Sequence, residues 1–127
     1  MVKIAICDDE EKSVALHERM VRECLQAAGI GCEITTQSRN LLYDITDDAF
    51  FYDLILLDIE MPGISGMELP QQIKGFLPNV RIIFVTSHTE YAIDAFELSI
   101  FRYVPKNNLG AKLPAAVLDA ARLIELE

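Results

Sequence analysis

Tyr52-Asp53-Leu54-Ile55-Leu56-Leu57-Asp58-Ile59-Glu60-Met61-Pro62-Gly63 decides how this chain is read. Four consecutive apolar residues, Leu54 to Leu57, run into a carboxylate, and a Pro-Gly break follows within five residues. A short unbroken apolar run is the pattern of a strand buried on both faces, as in a parallel sheet. An acid where such a strand ends lies at the carboxyl edge of the sheet, where open α/β sheets bind ligands. Taken alone, Asp58 reads equally well as the cap of a turn before Pro62.

The same pattern recurs on either side. Val2-Lys3-Ile4-Ala5-Ile6-Cys7 is short and β-branched and stops at Asp8-Asp9. Asp9, Glu10 and Glu11 then place negative charge on the first turn of a helix, where the macrodipole favours it. Val14, His17, Val21, Cys24, Leu25 and Ala28 fall at helical spacing, and Gly29 and Gly31 end that helix. His17 has no His or Cys partner in the pattern and reads as a packed or rim histidine. Residues 32–37 alternate and form a more exposed second strand, and Ser38 can cap a helix carrying Leu41, Leu42 and Ile45.

Beyond Pro62-Gly63, Ser65-Gly66-Met67-Glu68 has capping-box spacing, and a helix follows with Met67, Leu69, Ile73 and Phe76. Pro70 fits that register only if the helix starts later or is distorted there. Residues 80–86 form a fourth strand ending on Thr86, and a short helix through Ala92, Ile93 and Phe96 follows. Residues 101–105 form a fifth strand leading to Lys106. The last helix starts near Leu109, with Pro114 in its first turns and Leu113, Ala116, Val117, Ala120, Leu123 and Ile124 on one side. Five strands alternating with five helices predict a doubly wound α/β domain with a parallel sheet; the flavodoxin-like (βα)5 strand order 2-1-3-4-5 is assumed for it.

Bulk properties exclude several function classes. At 127 residues with 51% hydrophobic composition, the chain is one domain, 1–127, with enough material for a core. A net charge of -9 and the lack of any Lys/Arg run argue against direct nucleic-acid binding. No apolar run approaches the roughly 20 residues of a membrane span, and no signal-peptide pattern opens the chain. Cys7, Cys24 and Cys32 are odd in number and lack metal-ligand spacing, as befits buried or half-buried thiols in a reducing cytoplasm.

In the 2-1-3-4-5 order, the ends of strands one, three, four and five converge and bring together Asp8, Asp9, Asp58, Thr86 and Lys106. Clustered carboxylates repel unless a cation compensates, and carboxylate oxygens with waters suit Mg2+. A carboxylate beside Mg2+ can attack a phosphoryl group to give an acyl phosphate. The metal and a lysine ammonium would neutralise the charge developing on the phosphoryl oxygens, and a threonine hydroxyl adds a neutral donor. Each residue also has a plain structural reading: a solvated lysine, a strand threonine, an acidic helix cap. It is their convergence that points to a site.

Asp8-Asp9, Leu-Leu-Asp-Ile-Glu-Met-Pro-Gly at 56–63, Val-Thr-Ser at 85–87 and Tyr-Val-Pro-Lys at 103–106 together resemble a response-regulator receiver domain over essentially the whole chain. The resemblance implies a phosphorylation-operated two-component switch and a cytoplasmic location. A sensor histidine kinase would phosphorylate Asp58, and the domain would catalyse only its own phosphorylation and dephosphorylation. Asp9 would bind Mg2+ directly and Asp8 mainly through water, with Asp58 and the Glu60 backbone carbonyl completing the protein ligands. Thr86 and Lys106 would contact the phosphoryl group, and Tyr103 would be the aromatic switch that follows Thr86. Glu60 and His88, each two residues beyond a site residue, would tune the acyl-phosphate lifetime.

Asn107 stands where most receivers carry proline after the lysine, so the usual cis peptide there is not implied. The stretch from Glu90 to Val104 is most similar to receivers of LytTR-type regulators. The chain is therefore expected to be the receiver part of a longer two-domain transcription factor, touching DNA only through its effector domain. The surface of the fourth helix, fifth strand and fifth helix would form a phosphorylation-dependent homodimer or dock that effector. Two other functions fit the residues less fully. A Mg2+-dependent aspartyl-phosphate phosphatase or phosphotransferase would use Glu60 as general acid. A phosphorylation-independent binding module would not need the complete Asp-Asp-Asp-Thr-Lys set.

Overall fold

The computed structural model describes residues 1–8, 10–37, 52–58, 71, 73–75, 77, 79–87 and 100–127. Five strands are present: β1 (Val2–Cys7), β2 (Cys32–Gln37), β3 (Leu54–Leu57), β4 (Arg81–Thr86) and β5 (Arg102–Pro105). They form one parallel sheet in the order β2-β1-β3-β4-β5. The helices read near 38–47 and 87–96, the capping box and Pro70 lie outside the described residues. Of the helix between β3 and β4, residues 71 and 73–75 are described and are helical.

Side-chain alternation divides the apolar strands between two cores. Ile4, Ile6, Leu54, Leu56, Ile83, Val85 and Val104 face α1 (Glu11–Ala27) and the C-terminal helix (Leu109–Glu125). Ala5, Cys7, Ile55, Leu57, Ile82 and Phe84 face the other way, with Tyr52, Ile73 and Val80. The run from Leu54 to Leu57 therefore serves both cores at once, which is why it has no polar interruption.

On α1 the apolar stripe narrows to His17, Val21 and Leu25, which are buried, while Val14 and Cys24 are half-buried. Ala28, read from the periodicity as part of that face, is exposed and caps the helix instead. Gly29 adopts φ +73, the left-handed conformation that ends a helix at low steric cost. Ile30 N–H donates to the Leu25 carbonyl at 2.9 Å and Gly29 N–H to that of Gln26 at 3.1 Å, satisfying carbonyls the helix leaves open.

Two strand starts and one helix face differ from the sequence reading. β4 begins at Arg81 because Val80 N–H turns back to the Leu77 carbonyl at 3.1 Å. β5 begins at Arg102, although Phe101 N–H still reaches the Ile82 carbonyl at 2.8 Å. On the C-terminal helix Leu123 is 42% exposed, and Ala121 takes its expected place in the core. Pro114 sits inside that helix. A short 3-10 turn, Lys106–Asn108, joins it to β5. All peptides among the described residues are trans, Lys106-Asn107 included. No helix among the described residues is long and apolar enough to cross a membrane.

Candidate functional site

The sheet register brings the strand ends together. Cys7 pairs with Leu57, so Asp8 and Asp58 follow side by side, and Asp58 N–H donates to the Cys7 carbonyl at 2.9 Å. Thr86 pairs with Pro105, so Lys106 leaves the sheet one residue beyond the end of β4. Alternation also sorts the side chains by face. Asp8 and Asp58 continue the parity of Ile6 and Leu56, and Lys106 that of Val104, on the side covered by α1 and the C-terminal helix. Thr86 continues the parity of Phe84, and Tyr103 packs against that second core.

Lys106 is the centre of the site. Its Nζ donates to Asp58 Oδ2 at 2.9 Å and to Asp8 Oδ2 at 3.0 Å. The other oxygen of Asp8, Oδ1, accepts the Glu10 backbone N–H at 2.9 Å at the start of α1. Asp8 and Asp58 are 2% and 4% exposed, so both carboxylates are held away from bulk water and depend on these donors. Burial raises the Asp8 pKa; the Glu10 N–H and Lys106 work against that rise. Burial alone would lower the Lys106 pKa, but its hydrogen bonds to Asp58 and Asp8 outweigh it and hold the ammonium above its ordinary value.

Thr86 is fully buried at the end of β4, and Tyr103 is half-buried on β5 opposite Phe84, two residues before Thr86. Asp9, Glu60 and His88 lie outside the described residues, so the described part of the cluster is Asp8, Asp58, Thr86 and Lys106. Among the described residues no three metal-ligating side chains come together. Sequence reading missed two features: Lys106 spans both carboxylates, and His17 lies within electrostatic reach of Lys106 and Asp58. The signal for the second was present in the α1 stripe, whose upper end must meet the edge where β1 stops.

Acceptor-only carboxylates sharing one ammonium form a hard oxygen donor set, and the buried Asp8–Asp58 pair gains from a second cation. That chemistry fits a divalent ion such as Mg2+. The geometry offers a buried nucleophilic carboxylate, a positive donor beside it and a hydroxyl at the neighbouring strand end.

The chain matches the response regulator receiver domain family over residues 4–118. It is 34% identical over 116 residues to the transcriptional regulatory protein NatR of Bacillus subtilis, covering 91% of this chain and 48% of NatR. It is 44% identical over 55 residues to the sensory transduction protein LytR of Staphylococcus haemolyticus, covering 43% of this chain and 22% of LytR. This chain thus spans about half the length of NatR. The crystal structure of the response regulator protein TrrA from Thermotoga maritima, in complex with Mg2+ and a beryllium fluoride, is 32% identical. It superposes with a TM-score of 0.72 over 94% of this chain and 99% of that one. Fold, strand-edge cluster and similarity agree: the chain belongs to the response regulator receiver domain family of phosphorylation-operated signalling switches.

Proposed function

We propose that Asp58 is the phosphoacceptor of this receiver and that Lys106 and Thr86 hold the incoming phosphoryl group. The observation that carries the reading is the single ammonium of Lys106 bridging two buried carboxylates at the carboxyl edge of the sheet. An Asp58 carboxylate oxygen forms the new P–O bond as the P–N bond of a phosphohistidine donor breaks. The donor imidazole keeps its electron pair and takes up a proton. Lys106 stays beside the acceptor throughout and offsets the negative charge brought in by the phosphoryl group. The Thr86 hydroxyl donates to a phosphoryl oxygen, and Tyr103 follows it.

Asp8, Asp9, Asp58 and the Glu60 backbone carbonyl would hold Mg2+. Once bound, Mg2+ neutralises the carboxylates and the phosphoryl oxygens. The Mg2+ named in the TrrA complex supports the same assignment here. Glu60 and His88 are assigned to tuning the lifetime of the acyl phosphate, on the resemblance alone.

A sensor histidine kinase is the donor in this reading, and the output passes through the surface around β5 and the C-terminal helix, either to a second copy or to an effector domain. The names of NatR and LytR support a transcriptional, LytTR-type output for a longer protein containing this receiver. The domain is 1–127 in that reading.

The test is phosphorylation with acetyl phosphate in the presence of Mg2+, read by intact mass and by beryllofluoride-induced NMR shifts. Wild type gains one acid-stable, base-labile phosphoryl group, and Asp58→Asn gains none. Equal labelling of the two proteins would remove the assignment.

A further inference from the structure

The two outer strands of the sheet are built differently. β5 is four residues long, carries the charged Arg102 and ends in Pro105, which has no N–H to offer. Shortness, charge and proline are ordinary means of keeping a sheet edge from pairing with a foreign strand. β2 is six residues long, and all of it lies in unbroken parallel register with β1, from Val2↔Cys32 to Cys7↔Gln37. It has no proline, no lysine and no bulge, and Glu33 is its one charged residue.

Hydrogen bonding decides which backbone groups of β2 are left over. The Lys3 and Cys7 carbonyls accept from Asp53 N–H at 2.8 Å and Asp58 N–H at 2.9 Å, so the odd-numbered residues of β1 face β3. The even-numbered ones face β2, where Val2 N–H donates to the Gly31 carbonyl at 3.0 Å. With Val2 opposite Cys32, the parallel ladder uses the backbone groups of Glu33, Thr35 and Gln37. The N–H and C=O groups of Cys32, Ile34 and Thr36 therefore point outward from the edge. Among the described residues, no strand lies beyond them. The Cys32 and Ile34 side chains are half-buried against the core that α1 covers, and Thr36 is exposed.

We propose that the outer edge of β2 is a dimerisation site, and that its occupant is β2 of a second copy of this chain, antiparallel, with Ile34 on the two-fold axis. In that register the pairs Ile34–Ile34 and Cys32–Thr36 take the hydrogen-bonded positions and use every outward group of both strands. Glu33 then stands opposite Thr35. A slip of two residues one way sets Glu33 opposite Glu33, and the other way leaves Cys32 beyond the end of the second strand. The helices complement this register. Cys24 Sγ donates to the Pro114 carbonyl at 3.4 Å, which turns that flank of α1 toward the C-terminal helix. At about 100° per residue, Glu18 and Arg22 stand on the opposite flank, past the buried His17, Val21 and Leu25. They form an exposed ion pair at 3.2 Å. Met20, midway between them, is roughly 10 Å from the Ala27 end of α1, and Ile34 is roughly 7 Å from the Cys32 end of β2. The two-fold thus makes the α1 helices antiparallel neighbours and brings Glu18 of one copy toward Arg22 of the other. At 0.15 M salt the Debye length is about 8 Å, so a net charge of -9 spread over the surface acts weakly across the contact. This site is separate from the surface around β5, and it does not depend on the role of Asp58.

The experiment is sedimentation velocity on the full chain, from low to high micromolar concentration at physiological ionic strength, together with disulfide trapping. Thr36→Pro removes an outward N–H and leaves the ladder to β1 intact. Arg22→Glu sets like charges across the two-fold, and Glu18→Arg combined with Arg22→Glu restores opposite ones. Thr36→Cys places a thiol opposite Cys32 of the second copy, at the roughly 5.5 Å Cα spacing of a hydrogen-bonded pair, within disulfide reach. Thr35→Cys, on the other face of the strand, is the control.

Wild type is expected to show a monomer–dimer equilibrium that stops at two copies. Thr36→Pro keeps a cooperative thermal transition and weakens the dimer at least about tenfold, the scale of hydrogen bonds lost twice by symmetry. Arg22→Glu weakens it as well, and the charge-swapped double variant recovers it. Under mild oxidation Thr36→Cys gives a reducible covalent dimer, and Thr35→Cys gives no more than wild type. A wild type that stays monomeric at every concentration overturns the proposal. So does growth past the dimer, or a dimer that Thr36→Pro leaves intact and Arg102→Glu dissolves, which places the contact on the surface around β5. Should Thr36→Pro lose its thermal transition, trapping decides alone, and equal yields from Thr36→Cys and Thr35→Cys overturn the proposal.

Discussion

Lys106 balances the charge of Asp8 and Asp58, and removing it tests that balance directly. Lys106→Met keeps the apolar stem and removes the ammonium that Asp8 and Asp58 share. Breaking a buried ion pair from one side costs about 3 kcal/mol, and somewhat less here because Lys106 is 22% exposed. The loss should shrink as pH falls, since the raised pKa of Asp8 lets it take up a proton early. Added Mg2+ should raise the thermal midpoint of the variant more than that of wild type; an equal rise in both would mean that metal and lysine do not share these carboxylates. His17 gives a second pH signature. Burial lowers its pKa to about 4 from the ordinary imidazole value of 6.5, so its contribution to stability is fully present above pH 6.5 and is lost as pH falls toward 4. The shift corresponds to roughly 3 kcal/mol, and His17→Leu should flatten that limb of the stability-against-pH curve measured by urea denaturation. Asp8, Asp58, Thr86 and Lys106 were legible in the sequence because each is a chemically odd residue closing an apolar run. The reach of Lys106 to both carboxylates, and the nearness of His17, depend on side-chain parity and on the rotation of α1 against the sheet, which no local pattern encodes.

At the scale of the element, the strands were read well because a parallel sheet asks for unbroken apolar runs, and few other structures do. Their starts were read less well. Val80 and Phe101 are apolar residues at strand entrances, and only the hydrogen-bond partners show that one turns back and the other is a lead-in. The C-terminal helix shows the same limit in three dimensions. Leu123 fits the helical period, yet near the end of the helix it is 42% exposed while Ala121 is buried. Paired truncations measure this. Leu56→Ala removes a 1% exposed side chain from the central strand and should cost about 2–5 kcal/mol in chemical denaturation. Leu123→Ala should stay within about 0.5 kcal/mol of wild type. A large loss at Leu123 would place it in the core after all.

For the molecule as a whole, chemistry and fastening lie at opposite edges of the sheet. The carboxyl edge carries Asp8, Asp58 and Lys106. The amino edge is tied by Lys3 N–H to Asp53 Oδ2 at 2.9 Å, by Arg81 N–H to the Asp53 carbonyl at 3.1 Å, and by an ion pair of Arg81 with Glu127. Asp53 therefore belongs to the scaffold, although it lies only five residues before Asp58. The sheet between the two edges is apolar on both faces and has to be covered on both. On the α1 side the cover is shared with the C-terminal helix, which buries Leu113, Ala116, Val117, Ala120 and Ala121. α1 alone, with Val21 and Leu25 as its buried apolar residues, cannot shield Ile4, Ile6, Leu54, Leu56, Ile83 and Val85. A chain ending at Asn108 would retain every described candidate site residue and still expose the inner face of its own sheet. It should lose cooperative thermal unfolding, bind a hydrophobic dye and fail to gain stability from Mg2+. A cooperative transition with native tyrosine near-ultraviolet dichroism in that truncation would show that the C-terminal helix is an accessory, and that the site is held by the strands alone.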